Sequence, residues 1–134
     1  MVAEPKTLIE EEEIRQMQAL FEAQRKAFAD DPMPEANRRR EHLKRLSDVL
    51  VANKERLAEA ISDDFGNRSR HETYAELLGS IQGIHYARRH VRRWMRPSRR
   101  RAGLLLATTS CKVVYQPKGV VGVIVPFNYP LVLS

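Results

Sequence analysis

Residues 108–125 read TTSCKVVYQPKGVVGVIV, and the fold class turns on how this stretch is taken. Cys111, Val113 and Tyr115 alternate with Lys112 and Val114, a period of two that belongs to a strand. Pro117, Lys118 and Gly119 interrupt it. The next run, VVGVIV at 120–125, is apolar on both faces, as strands of a covered parallel sheet are. Parallel strands need crossover partners, usually helices. No such partner follows in these residues, so the sequence reads as a piece of a larger α/β protein, about four helices and then two strands.

The apolar run stops at Pro126-Phe127-Asn128-Tyr129-Pro130. Two prolines fix φ and withhold an N–H on either side of the asparagine, which stiffens the corner and aims the carboxamide. Stiff aim suits a hydrogen-bond donor in a reaction. Taken without its context, an asparagine in such a proline-bounded stretch is more simply an ordinary turn residue.

Upstream the pattern is helical. Thr7 and Glu10 have capping-box spacing, and Ile14, Met17, Phe21 and Phe28 share a helix face before Asp31-Pro32-Met33-Pro34. A second helix is expected from about Glu35, with Leu43, Leu46 and Leu50 inward. Asn53 reads as the N-cap of a third, with Glu55 in its first turn, a stripe of Leu57, Ile61 and Phe65, and Gly66 as the stop. Ser69 and Glu72 form a further capping box. It opens a long fourth helix through Tyr74, Leu77, Leu78, Ile81, Ile84, Val91 and Met95 to Pro97, with Trp94 expected to anchor the helix against the strands.

At 134 residues the chain suffices for one modest domain and is short for a two-domain enzyme. No stretch approaches the ~20 apolar residues of a membrane span, and the acidic start MVAEPKTLIEEEEIRQ is unlike a secretory leader, so a cytoplasmic address without a membrane is expected. One cysteine, Cys111, allows neither an internal disulfide nor a multi-thiolate zinc site. His42, His71, His85 and His90 lack partners at metal spacing, and no metal is expected. The net charge of +6 is uneven: eight arginines crowd RRHVRRWMRPSRRR at 88–101. Such a block can neutralise phosphates. It can equally be a solvated helix end, where cations suit the negative pole of the helix dipole. No aromatic stacking platform accompanies it, which argues against nucleic acid.

The segment YQPKGVVGVIVPFNYPLVLS at 115–134 resembles the entry to the active site in the NAD(P)-dependent aldehyde dehydrogenase superfamily, where a P-x-G-V strand leads into Pro-Trp/Phe-Asn-Tyr/Phe-Pro. DDFGNRSRHETYAEL at 63–77 and HVRRWMRP at 90–97 also resemble that family, most closely its branch of coniferyl aldehyde dehydrogenases. The likeness runs from about Glu35 to Ser134.

The resemblance implies an α/β parent with a Rossmann-like cofactor domain, a catalytic domain and a strand arm used to form a homodimer or homotetramer. Residues 1–107 would then be the N-terminal helical region, 108–119 the strand arm, and 120–134 the first strand and active-site turn of the cofactor domain. It implies oxidation of a small-molecule aldehyde to the acid with NAD or NADP. A cysteine thiolate adds to the carbonyl, a hydride leaves the thiohemiacetal for the nicotinamide, and water activated by a glutamate hydrolyses the thioester. Both residues lie far downstream in the family; by position Cys111 is not the nucleophile, and the chain by itself is expected to be inactive. Asn128 matches the oxyanion-hole asparagine. Ile124, Val125, Pro126 and Phe127 match the nicotinamide-ribose side of the cofactor site, with Phe127 where a tryptophan is usual. The alternative is a self-standing basic helical module that binds nucleic acid or acidic protein, with a salt-dependent affinity for polyanions as its mark.

Overall fold

The computed structural model describes residues 5–134, with side chains from residue 11 on. Four helices dominate: α1 (Pro5–Asp30), α2 (Ala36–Ala52), α3 (Lys54–Phe65) and α4 (Arg70–Trp94). Two three-residue strands follow, β1 (Ser98–Arg100) and β2 (Cys111–Val113). The chain divides into two units. One holds α1 with Gln116–Gly122; the other holds Pro34–Tyr115 with Val123–Ser134.

In the first unit the α1 backbone is already helical at Pro5, and the capping box read at Thr7 and Glu10 rests on side chains outside the described residues. Ile14, Met17 and Phe21 are largely exposed, and Phe28 is half-buried. Met17, Leu20 and Phe21 line an apolar groove with Val120 and Val121. Gly119 has φ of 107°, a left-handed conformation that side chains resist, and a Cβ there would meet the Phe28 ring at 3.6 Å.

In the second unit α4 packs chiefly on α2 and secondarily on α3. The helix boundaries follow local chemistry. Gly66 ends α3 at φ 71°, ψ 61°, the left-handed turn that glycine adopts at least cost. Ser69 caps α4, its hydroxyl accepting from the His71 N–H at 3.3 Å. Glu72 does not complete the box; it lies 3.8 Å from the Arg68 Nε instead. Asn53 departs from expectation as well. Its side chain donates to the Val49 carbonyl at 2.8 Å and so closes α2 rather than opening α3, because the two helices join at that single residue. Glu55 bridges α3 and α4 by accepting from the Tyr74 hydroxyl. That hydrogen bond, lost on ionisation, raises the Tyr74 pKa above 10.0.

The core is small: Ala58, Ile61, Leu77 and Val91 are buried. Leu46 and Leu78, expected inward, are about half exposed, whereas Ser47 and Thr73 are buried. Leu77 sits on the helix that both α2 and α3 pack against. Leu77→Ala should therefore cost about 2–5 kcal/mol of stability. The check is urea unfolding of this chain followed by helical circular dichroism; a midpoint loss worth under about 1 kcal/mol would mean that the site collapses around the smaller side chain.

The strands differ from the sequence reading. β2 pairs antiparallel with β1, with Ser98 opposite Val113 and Arg100 opposite Cys111. β1 thus falls within residues 1–107, the stretch read as helical. The arginine run gives no alternation, so β1 carries no apolar signal of its own. Residues 120–125 form no strand. A strand exists only by pairing with a neighbour, and among the described residues none pairs with this run. Trp94, expected to anchor the helix against the strands, is half exposed and stacks on His90 of its own helix, ring centres 5.8 Å apart.

Candidate functional site

Four of the eight buried residues in the second unit are polar or charged: Ser47, Arg68, Thr73 and Glu76. A buried charge is costly unless paired and hydrogen-bonded, so Arg68 and Glu76 mark a place where the fold spends stability. Both converge on the Pro126–Pro130 corner. The Arg68 Nη1 donates to the Asn128 carbonyl at 2.7 Å. The Glu76 Oε1 accepts from the Leu131 N–H at 2.7 Å and the Val132 N–H at 3.0 Å. The two side chains also face each other, Arg68 Nη1 to Glu76 Oε2 at 3.1 Å. Oε2 nevertheless has no hydrogen-bond partner, so this contact is Coulombic, while Nη1 donates one hydrogen to Asn128.

Local sequence puts these groups in place. Arg68 occupies the short turn between the Gly66 stop and the Ser69 cap, where the chain reverses from α3 into α4. Asn67 takes φ of 88° there, a conformation asparagine tolerates better than most residues. The guanidinium carbon lies 5.2 Å from the Tyr129 ring centre and 5.9 Å from that of Phe65, so two aromatic rings restrict the fork. Glu76 is one turn and a half into α4. Its side chain is 1% exposed and that of Arg68 5%.

Asn128 itself is exposed, and among the described residues no protein group takes up its carboxamide. Its backbone is held while its amide is uncommitted. It lines a cleft of about 420 Å³ with Tyr129, Phe65, Arg68, Glu72 and Glu76. Phe127 is 81% exposed, with its ring centre 5.9 Å from that of Phe65. Ile124 is fully exposed, and Val125 and Pro126 line a second depression with Ile61 and Asp64. The apolar side chains of Ile124 and Phe127 present open faces.

The sequence reading missed Arg68 and Glu76. The signal for Glu76 was its spacing: it sits on the stripe of Thr73 and Leu77, where a carboxylate on an otherwise buried face has to find donors. Arg68 gave none, because an arginine in a polar turn looks solvated.

Other candidates are placed elsewhere. Cys111 is a half-buried free thiol in β2. Arg92 and Arg93 occupy the last turn of α4, where they complement the helix dipole. Asp63 and Asp64 lie in the last turn of α3 and Glu72 in the first turn of α4. Among the described residues no group of three His, Cys, Asp or Glu could hold a metal, and no helix is long and apolar enough to cross a membrane.

The sequence model of the aldehyde dehydrogenase family matches residues 5–134. The chain is 52% identical over 125 residues to the "Probable coniferyl aldehyde dehydrogenase" of Pseudomonas aeruginosa, covering 92% of this chain and 26% of that protein. It is 36% identical to the coniferyl aldehyde dehydrogenase of a Pseudomonas species, over 89% of this chain and 24% of that protein. A "Probable coniferyl aldehyde dehydrogenase" of Caulobacter vibrioides is 38% identical over 88% of this chain and 25% of its own length. The chain therefore spans about a quarter of the length of the curated relatives it matches. No solved structure gives a significant match.

Proposed function

This chain belongs to the aldehyde dehydrogenase family, and from that premise we propose that it is the N-terminal part of an enzyme that oxidises an aldehyde to the acid with NAD or NADP. The substrate is an aromatic aldehyde of the coniferaldehyde kind, in keeping with the names of its relatives. The observation that carries this reading is the corner at Asn128, pinned through its backbone with its carboxamide open to a ligand.

In this reading Asn128 donates its amide N–H to the aldehyde oxygen. When a cysteine thiolate from elsewhere in the protein adds to the carbonyl, negative charge develops on that oxygen, and a fixed neutral donor stabilises it without titrating. The nicotinamide cofactor supplies the hydride acceptor. Residues present here fit one wall of its site. Ile124 and Phe127 offer exposed apolar faces beside the corner, and no main-chain group pairs with the backbone of residues 124–127 among the described residues, which leaves it open to ribose hydroxyls. Phe127 supplies an aromatic wall without an indole N–H.

The parent fold in this reading is α/β with a Rossmann-like cofactor domain, to which residues 120–134 contribute the first strand and its turn. The β1–β2 hairpin belongs to the arm that joins copies into a homodimer or homotetramer. The full-length protein, given coniferaldehyde with NAD or NADP, should form the carboxylic acid and one reduced nicotinamide per aldehyde, followed by absorbance and chromatography. Failure to oxidise aromatic and aliphatic aldehydes with either nucleotide would overturn the proposal.

A further inference from the structure

We infer that Arg68 and Glu76 are positioning residues that fix the direction of the Asn128 amide, an inference that rests on the oxyanion reading of Asn128. Their contacts bracket the asparagine: Arg68 holds the Asn128 carbonyl on one side, and Glu76 holds the Leu131 and Val132 N–H groups on the other. All three bonds are to backbone, so the carboxamide stays available while the peptide planes around it cannot rotate. The prolines at 126 and 130 fix only their own φ. The remaining freedom lies at Phe127, Asn128 and Tyr129, and it is there that the Arg68 bond acts.

Packing alone does not account for this pair. A leucine at position 76 would fill the same face of α4 without the desolvation penalty of a carboxylate whose side chain is 1% exposed. What leucine would not do is accept two N–H bonds from the start of a turn, where backbone donors have no partner within their own segment. Arg68 holds the assembly together, with one fork that reaches the Asn128 carbonyl and faces Glu76 at once, flanked by the Phe65 and Tyr129 rings. Both contacts come from the one nitrogen Nη1, and what a lysine lacks is the planar guanidinium that lies against the two rings and holds that nitrogen in place. Orientation errors at a catalytic donor fall on the rate of the chemical step more than on substrate affinity.

The test uses the full-length protein. Arg68→Lys keeps a cation beside Glu76 and so avoids an unpaired buried charge. It should lower kcat by about tenfold, with KM for aldehyde and nucleotide within about twofold. In an Asn128→Ala background the same substitution should change kcat by less than about twofold, since the group being aimed is gone. Hydrogen exchange gives a readout independent of activity: Glu76→Ala should speed exchange at Leu131 and Val132 by about tenfold or more, and Glu76→Gln, which keeps a carbonyl acceptor, should restore most of the protection. Unchanged exchange in Glu76→Ala would overturn the anchoring. Losses from Arg68→Lys and Asn128→Ala that simply multiply would overturn the claim that Arg68 acts through Asn128. If Asn128→Ala alone is near wild type, the oxyanion reading falls and the catalytic role of both anchors with it; faster exchange in Glu76→Ala would mark that failure as distinct from a wrong account of the contacts.

Discussion

Asn128→Ala in the full-length enzyme should lower kcat by about 10²- to 10³-fold, equivalent to roughly 2.7–4 kcal/mol of transition-state stabilisation. The effect is confined to kcat because the amide meets full negative charge only after the thiolate has added; the ground-state carbonyl gains less from it. Folding should be nearly untouched. The Asn128 side chain is exposed, and the bonds that hold the corner run through its carbonyl and the N–H groups of Leu131 and Val132, all of which alanine retains. Nucleotide affinity should likewise hold. Asn128→Asp should be at least as harmful, because a carboxylate repels the developing charge. Steady-state kinetics within about threefold of wild type for Asn128→Ala, with chemistry still limiting, would show that Asn128 is a turn residue and no more.

Residues 1–134 on their own should show no turnover of coniferaldehyde with NAD or NADP. One oriented donor stabilises an oxyanion but cannot create it, and without an activated thiol no covalent intermediate forms. Cys111 does not supply one: it sits in β2, in register with Arg100 of the neighbouring strand, fixed by the hairpin and not by the Asn128 corner. The assay is reduced-nicotinamide absorbance at high protein concentration, with the full-length protein as the positive control. Turnover by the isolated chain would place the nucleophile within these residues and overturn the division of labour proposed here.

Most of what sequence reading and structure share is local. The helices at 36–52, 54–65 and 70–94, the Gly66 stop, the Ser69 cap and the stiff corner at Asn128 each depend on a handful of consecutive residues. A glycine at a left-handed position or a hydroxyl at an N-cap acts on its own turn whatever surrounds it. The family resemblance belongs with these, since it rests on short motifs read in order.

Properties that depend on partners distant in the chain were decided by tertiary structure. β1 became a strand because β2 returned to pair with it, though an arginine run has no strand signal; the run at 120–125, with the stronger signal, found no partner and is no strand. Asn53 could cap either helix it joins, and the Val49 carbonyl took it. The anchors of the corner are the fullest case: Arg68 reaches a residue 60 positions away and Glu76 residues 55 and 56 positions away. Sequence determined that Asn128 would sit in a stiff turn, because proline acts on its own φ. Only the fold determined which charges would be buried against that turn, because desolvation and hydrogen bonding are set by what lies nearby in space.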